Sequence, residues 1–104
     1  MKIWVLNPPY LKKYSRSQRS PAVTKSGTLY FPVWLAYCAG VLEKAGYDVM
    51  LTDAPARGIE LPAVLKQAAA LKPQLIVMDT STPSIENDLN IAAELKKILP
   101  QSFI

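Results

Sequence analysis

An α/β domain with a parallel sheet between two layers of helices is the fold class that the 104 residues predict. Three observations carry that reading. Short apolar, β-branched runs alternate with segments of helical periodicity in the order β-α-β-α-β-α, and a fourth strand begins at the end; such alternation builds a parallel sheet covered on both faces. Each helical segment is closed by a glycine or proline: Gly46, Pro73 and Pro100. Half of the residues are apolar, enough to bury the core of one small domain.

The first strand spans Lys2 to Leu6, where Ile3, Trp4 and Val5 suit a sheet, and Asn7-Pro8-Pro9 stops it. A polar, basic segment follows to about Tyr30; a loop of that length inside a compact domain is uncommon and is often functional or disordered. Pro32 suits the first position of a helix over Val33 to Ala45, with Gly46 as its left-handed cap. Val33, Trp34, Leu35, Tyr37, Val41 and Leu42 run nearly all round this helix, so it should be covered on more than one side. Tyr47 to Thr52 is the second strand, ending at Asp53-Ala54-Pro55. Glu60 to Lys72 is an amphipathic helix with Leu61, Val64, Leu65, Ala68 and Leu71 on one face. Leu75 to Met78 is the third strand. Ile85, Leu89, Ala92, Leu95 and Leu99 mark the inner face of a third helix, with Glu86 and Asp88 in its first turn and Lys96 and Lys97 in its last, as the helix dipole favours. Gln101 to Ile104 starts a fourth strand. A sequence that stops there reads as part of a longer protein.

Composition excludes several classes. There is no histidine and one cysteine, Cys38, which removes the usual general base and argues against a protein-built zinc or iron–sulfur site. Cys38, in apolar surroundings, reads as a small core residue, and a lone cysteine fits a reducing cytoplasm. No apolar run approaches the roughly 20 residues that span a bilayer, and the N-terminus has no signal-peptide pattern. The net charge is +4, but residues 8–30 hold five basic residues and no acid, whereas the rest holds seven basic and eight acidic residues, a balance of −1. The basicity belongs to one loop and is not spread over a nucleic-acid-binding face.

In parallel α/β sheets, ligands bind beyond the carboxyl ends of the strands. Asn7-Pro8-Pro9, Asp53-Ala54-Pro55 and Asp79-Thr80-Ser81-Thr82-Pro83 should meet there. The hydroxyl row at the third tip adjoins a helix N-terminus, whose free N–H groups favour polar ligands; alternatively Thr82 or Ser84 simply caps that helix. A dinucleotide site lacks its G-x-G-x-x-G after the first strand. A phosphorylated receiver domain would use Asp79 but lacks the acidic pair after the first strand. Thr24-Lys25-Ser26-Gly27-Thr28 has the character of a flavin phosphate loop, though it comes late; Ser26-Gly27-Thr28 reads as an anion or polar-ligand loop and equally well as an ordinary turn into the helix. No nucleophile has an activating partner, so the chain reads as a binding module.

Two stretches, "SGTLYFP" (Ser26 to Pro32) and "DTSTPS" (Asp79 to Ser84), with Asn7-Pro8-Pro9, Leu42-Glu43-Lys44-Ala45-Gly46 and Asp53-Ala54-Pro55, make the chain resemble the N-terminal cobalamin-binding-type domain of cobalamin-dependent radical SAM enzymes. The branch resembled is that of the Fe–S oxidoreductases labelled anaerobic magnesium-protoporphyrin IX monomethyl ester cyclase, or their hopanoid-associated relatives. The resemblance implies a flavodoxin-like sheet with cobalamin over its carboxyl edge. Thr80, Ser81 and Thr82 would line the groove for the nucleotide tail, and Asn7, Pro8 and Pro9 would lie under or beside the corrin. Asp53 and Ser26, Gly27 and Thr28 complete the implied cofactor-binding set. The D-x-H-x-x-G motif of other cobalamin domains is absent, so cobalt would receive no histidine from this domain. The resemblance further implies a downstream radical SAM domain in the same chain, holding a 4Fe–4S cluster, S-adenosylmethionine and the small-molecule substrate. The fragment alone would have no catalysis. Exposed apolar surface could pair two copies.

Overall fold

The computed structural model describes every residue from Met1 to Ile104. Strand β1 (Lys2–Asn7) lies at the centre of a parallel sheet. It is flanked by β4 (Asp48–Asp53), paired from Lys2 with Asp48 to Asn7 with Asp53, and by β5 (Leu75–Met78), paired from Ile3 with Leu75 to Leu6 with Met78. Phe103 extends the sheet beyond β5 through a parallel bridge to Leu75. This is the order of the first four strands of a flavodoxin-like sheet, in which each crossover carries a helix. The segment between β1 and the first helix is not a plain loop. It folds back on itself as a short antiparallel pair, β2 (Tyr14–Ser15) with β3 (Ala22–Val23).

Helices α1 (Val33–Lys44), α3 (Leu61–Leu71) and α4 (Ile85–Ile98) form where the apolar periodicity places them. Between β4 and α3 the Asp53-Ala54-Pro55 turn tightens into a one-turn helix, α2 (Ala54–Arg57). Gly46 ends α1 at φ +95°. Its N–H returns to Glu43 O, and that of Tyr47 returns to Leu42 O. This paired return is what a left-handed residue after a helix permits.

Side chains alternate along β1. Trp4 and Leu6 join Ile76, Ala54, Val64, Ala68, Ile91 and Leu95 under α3 and α4. Ile3 and Val5 meet Leu35 of α1 on the other face. The buried Trp4 indole N–H donates to Thr52 Oγ1 at 2.9 Å, which satisfies a polar handle the core would otherwise orphan.

Three expectations change. The inner face of α4 runs through Asp88, Ile91 and Leu95, while Leu89 is 62 % exposed and Ile85 points outward. The cause is a carboxylate on the buried stripe, which an apolar pattern cannot register. Helix α1 is covered on one side only: Trp34, Tyr37 and Val41 are 78 %, 67 % and 67 % exposed. Cys38 is half-buried and belongs to neither core cluster.

Candidate functional site at the carboxyl edge of the sheet

The tips of β1, β4 and β5 lie side by side, as the parallel register requires. Asn7, the last residue of β1, donates from Nδ2 to Asp53 Oδ1 of β4 at 2.9 Å. Its Oδ1 accepts from Arg16 Nη1, also at 2.9 Å. The same nitrogen donates to Pro8 O at 2.6 Å. On its other side the guanidinium reaches α4: Nη2 donates to Asp88 Oδ1 at 2.8 Å, and Nε lies 3.3 Å from both Asp88 Oδ2 and Ser84 Oγ. The side chain of Arg16 is 0 % exposed and that of Asp88 4 %. One of the five basic residues of the loop is therefore an internal strut.

Asp88 is held by more than Arg16. Its Oδ2 accepts from Thr80 Oγ1 at 2.8 Å and from Ser84 Oγ at 2.7 Å, and its Oδ1 accepts from Asn87 Nδ2 at 3.1 Å. A paired carboxylate only accepts, so the Ser84 hydroxyl must donate to it. Ser84 then accepts from Ser81 at 2.6 Å, and Ser81 accepts from the Tyr14 phenol at 2.6 Å. Proton counting thus gives the chain a direction: Tyr14 to Ser81 to Ser84 to Asp88. The buried charge costs least when every lone pair is met in this way, and removing one partner of such a pair costs about 3–5 kcal/mol.

The segment above this floor, residues 10–31, is a strap across the strand tips. Tyr10 donates to Pro83 O at 3.3 Å and packs edge-on against Tyr14 with ring centroids 4.8 Å apart. The Tyr14 ring also faces the Arg16 guanidinium carbon at 5.7 Å. Asn87 Nδ2 ties α4 to Pro9 O. Asn7, Pro8 and Pro9 are buried beneath the strap rather than lining an open shelf. Ser26, Gly27 and Thr28 form a self-contained turn on the strap: the Ser26 hydroxyl donates to Thr28 Oγ1 and accepts the Thr28 N–H. Thr82 is exposed on the short 3-10 turn Thr82–Ser84. Neither Thr82 nor Ser84 makes a side-chain cap bond, because the Ser84 hydroxyl is committed to Asp88.

Beside the floor, Asp79 is half-buried, and burial raises its pKa above the ordinary 3.8. The Thr80 N–H and the Arg16 charge oppose that shift, and the Asp88 charge adds to it. Open clefts flank the strap. One of about 510 Å³ is lined by Tyr10, Thr82, Pro83, Glu86, Asn87 and Asn90. Another of about 190 Å³ lies among Tyr10, Lys12, Lys13, Pro55 and Glu60. An apolar groove of about 410 Å³ runs along the outer face of α1, between Phe31 and Lys44. No set of three or more carboxylate or thiolate side chains converges to hold a metal ion.

Sequence reasoning brought Asn7, Pro8, Pro9, Asp53, Thr80, Ser81 and Thr82 to one edge, and they are there. It missed Arg16, Tyr14, Ser84 and Asp88, which connect them. The one available signal was the serine–aspartate spacing of four residues at the start of a helix, a pair that shares a face.

A flavodoxin-like sheet whose strand tips form a polar floor under a strap defines a ligand-binding α/β domain. The B12 binding domain family matches residues 19–104, and the chain belongs to it. The chain is also 37 % identical over 68 residues to the anaerobic magnesium-protoporphyrin IX monomethyl ester cyclase of Rubrivivax gelatinosus, a match covering 62 % of this chain and 12 % of that protein. No solved structure matches. No helix is long and apolar enough to cross a membrane.

Proposed function

We propose that the chain is a cobalamin-binding module that holds its cofactor at the carboxyl edge of the sheet. Membership of the B12 binding family over 19–104 carries the reading, and the edge is chemically suited to it. A macrocycle rimmed with amides needs both donors and acceptors on an open surface. Tyr10, Thr82, Asn87 and Asn90 supply both around the larger cleft, with Lys12 and Lys13 available to an anionic tail. These groups would hold the rim, and Thr80, Ser81, Asn7, Pro8, Pro9 and Asp53 would form the floor behind them. Ser26, Gly27 and Thr28 would meet the group from the strap. Cobalamin supplies alkyl-transfer and one-electron cobalt chemistry when bound. This chain's part is to bind and orient it, without a histidine ligand.

Similarity to a cyclase of which it spans 12 % leads us to place the module in a B12-dependent radical SAM oxidoreductase or methyltransferase of the cytoplasm. A downstream domain would carry the 4Fe–4S cluster and S-adenosylmethionine. The bare outer face of α1 suits contact with such a domain better than a homodimer, because the relative is far longer than the matched stretch.

Titration with hydroxocobalamin, followed by gel filtration and the visible spectrum, tests the reading. Co-elution at one equivalent with a shifted corrin spectrum is expected. No retention of cobalamin, with flavin mononucleotide bound instead, would favour a flavin carrier. Retention of neither would leave an interaction module.

A further inference from the structure

We propose that residues 10–31 are a latched strap and that Arg16 is the positioning residue on which it closes, with Thr80, Ser81 and Ser84 serving as the receptor for the latch rather than as ligands in their own right. The inference deepens the cofactor reading and rests on it only for what the strap faces.

Three side chains at the root of the strap meet the β5–α4 connection and the first turn of α4. Tyr10 bonds Pro83 O, Tyr14 bonds Ser81, and Arg16 bonds Ser84 and Asp88. The return arm of the strap is secured to the outgoing arm: Thr24 donates its N–H and hydroxyl to Lys13 O, and Tyr30 N–H donates to Ser15 Oγ. Through Asn7, Arg16 also reaches Asp53. One guanidinium therefore links the ends of β4 and β1 with the first turn of α4, and Thr80 brings the end of β5 to the same carboxylate. Every hydroxyl of the receptor that faces Asp88 is committed within the chain.

This arrangement has a local failure mode. With Arg16 gone, Asp88 is an unpaired charge under a closed strap. Opening the strap lets water reach it without breaking the sheet, whose two apolar clusters do not include the strap. A latch behaves in this way; a core residue does not.

The test is made first without cofactor. Arg16→Met and Ser81→Ala are compared with the unaltered protein by backbone amide relaxation and by tryptic cleavage after Arg19 and Lys25. In Arg16→Met, strap amides are expected to fall from rigid order parameters of about 0.85 to below about 0.6, while β1 and β5 amides keep theirs. Cleavage in the strap should quicken by at least about tenfold, one decade being about 1.4 kcal/mol of opening. Ser81→Ala keeps the ion pair and decides the matter if Arg16→Met does not fold; a severalfold quickening is expected. A strap as rigid and resistant in both variants as in the unaltered protein would overturn the proposal, and so would loss of order in the sheet together with the strap in Ser81→Ala. Hydroxocobalamin titration of Arg16→Met should then show binding at least tenfold weaker; equal binding would remove the positioning role. If the unaltered protein binds no cobalamin while the strap still unlatches, the cofactor reading fails and the latch stands.

Discussion

The two faces of the sheet are finished to different standards. Under α3 and α4, eight buried side chains including Trp4 interlock, and the Trp4 indole and the Ser84 hydroxyl each have a partner. Under α1 only Ile3, Val5 and Leu35 are buried, and the outer side of the helix presents Trp34, Tyr37 and Val41 to solvent. The difference comes from helix number, since two helices wall in one face and a single helix lies on the other. It teaches that apolarity all round a helix measures how many surfaces it can offer, not how many are covered.

Substitutions should reproduce this asymmetry. The largest effect is expected from Leu95→Ala, which opens a cavity in the α3/α4 cluster and should cost about 2–5 kcal/mol in chemical denaturation. A cost under about 1 kcal/mol would mean that this face is not the better packed one. Trp4→Phe keeps most of the ring but orphans the Thr52 hydroxyl, for an expected loss of about 1–3 kcal/mol. On α1, Trp34→Ser and Tyr37→Ser should change stability by no more than about 0.5 kcal/mol. If either approached the Leu95 value, the exposed face would be covered in solution.

The smallest effect concerns Asp79. Its folded pKa is raised by burial, so the stability linked to its proton is fully present below 3.8 and is lost as pH rises through the raised value. Asp79→Asn should therefore be the more stable protein at neutral pH, with the difference vanishing as the pH falls below 3.8. Denaturation midpoints across that range measure it; a constant difference would show that the effect is not one of ionisation.

How much of this was legible beforehand differs by residue type. The alternation of strands and helices and the helix positions follow from apolar period and from Gly46, Pro73 and Pro100, because those signals are local; the order of strands in the sheet was implied by the family resemblance alone. The gathering of Asn7, Asp53 and Thr80 at one edge follows from the parallel topology. The floor itself was not legible. Arg16 is one of five basic residues in a polar segment, and nothing local distinguishes the one that is buried. Asp88 looked like a dipole partner at a helix start, yet it is 72 residues away in sequence from the guanidinium that defines its role. Pairings of that separation are properties of the fold, and they displaced Leu89 from the inner face of α4.

The central claim is that cobalamin sits on the carboxyl edge, against the strap and the start of α4. The paramagnetic cob(II)alamin form allows this to be mapped on the isotope-labelled protein. Amide signals of residues 10–13 and 82–90 should broaden on its addition, while those of Lys2, Asp48 and Gln74 at the opposite end of the sheet stay sharp. Broadening centred on those three, or along α1 alone, would contradict the account.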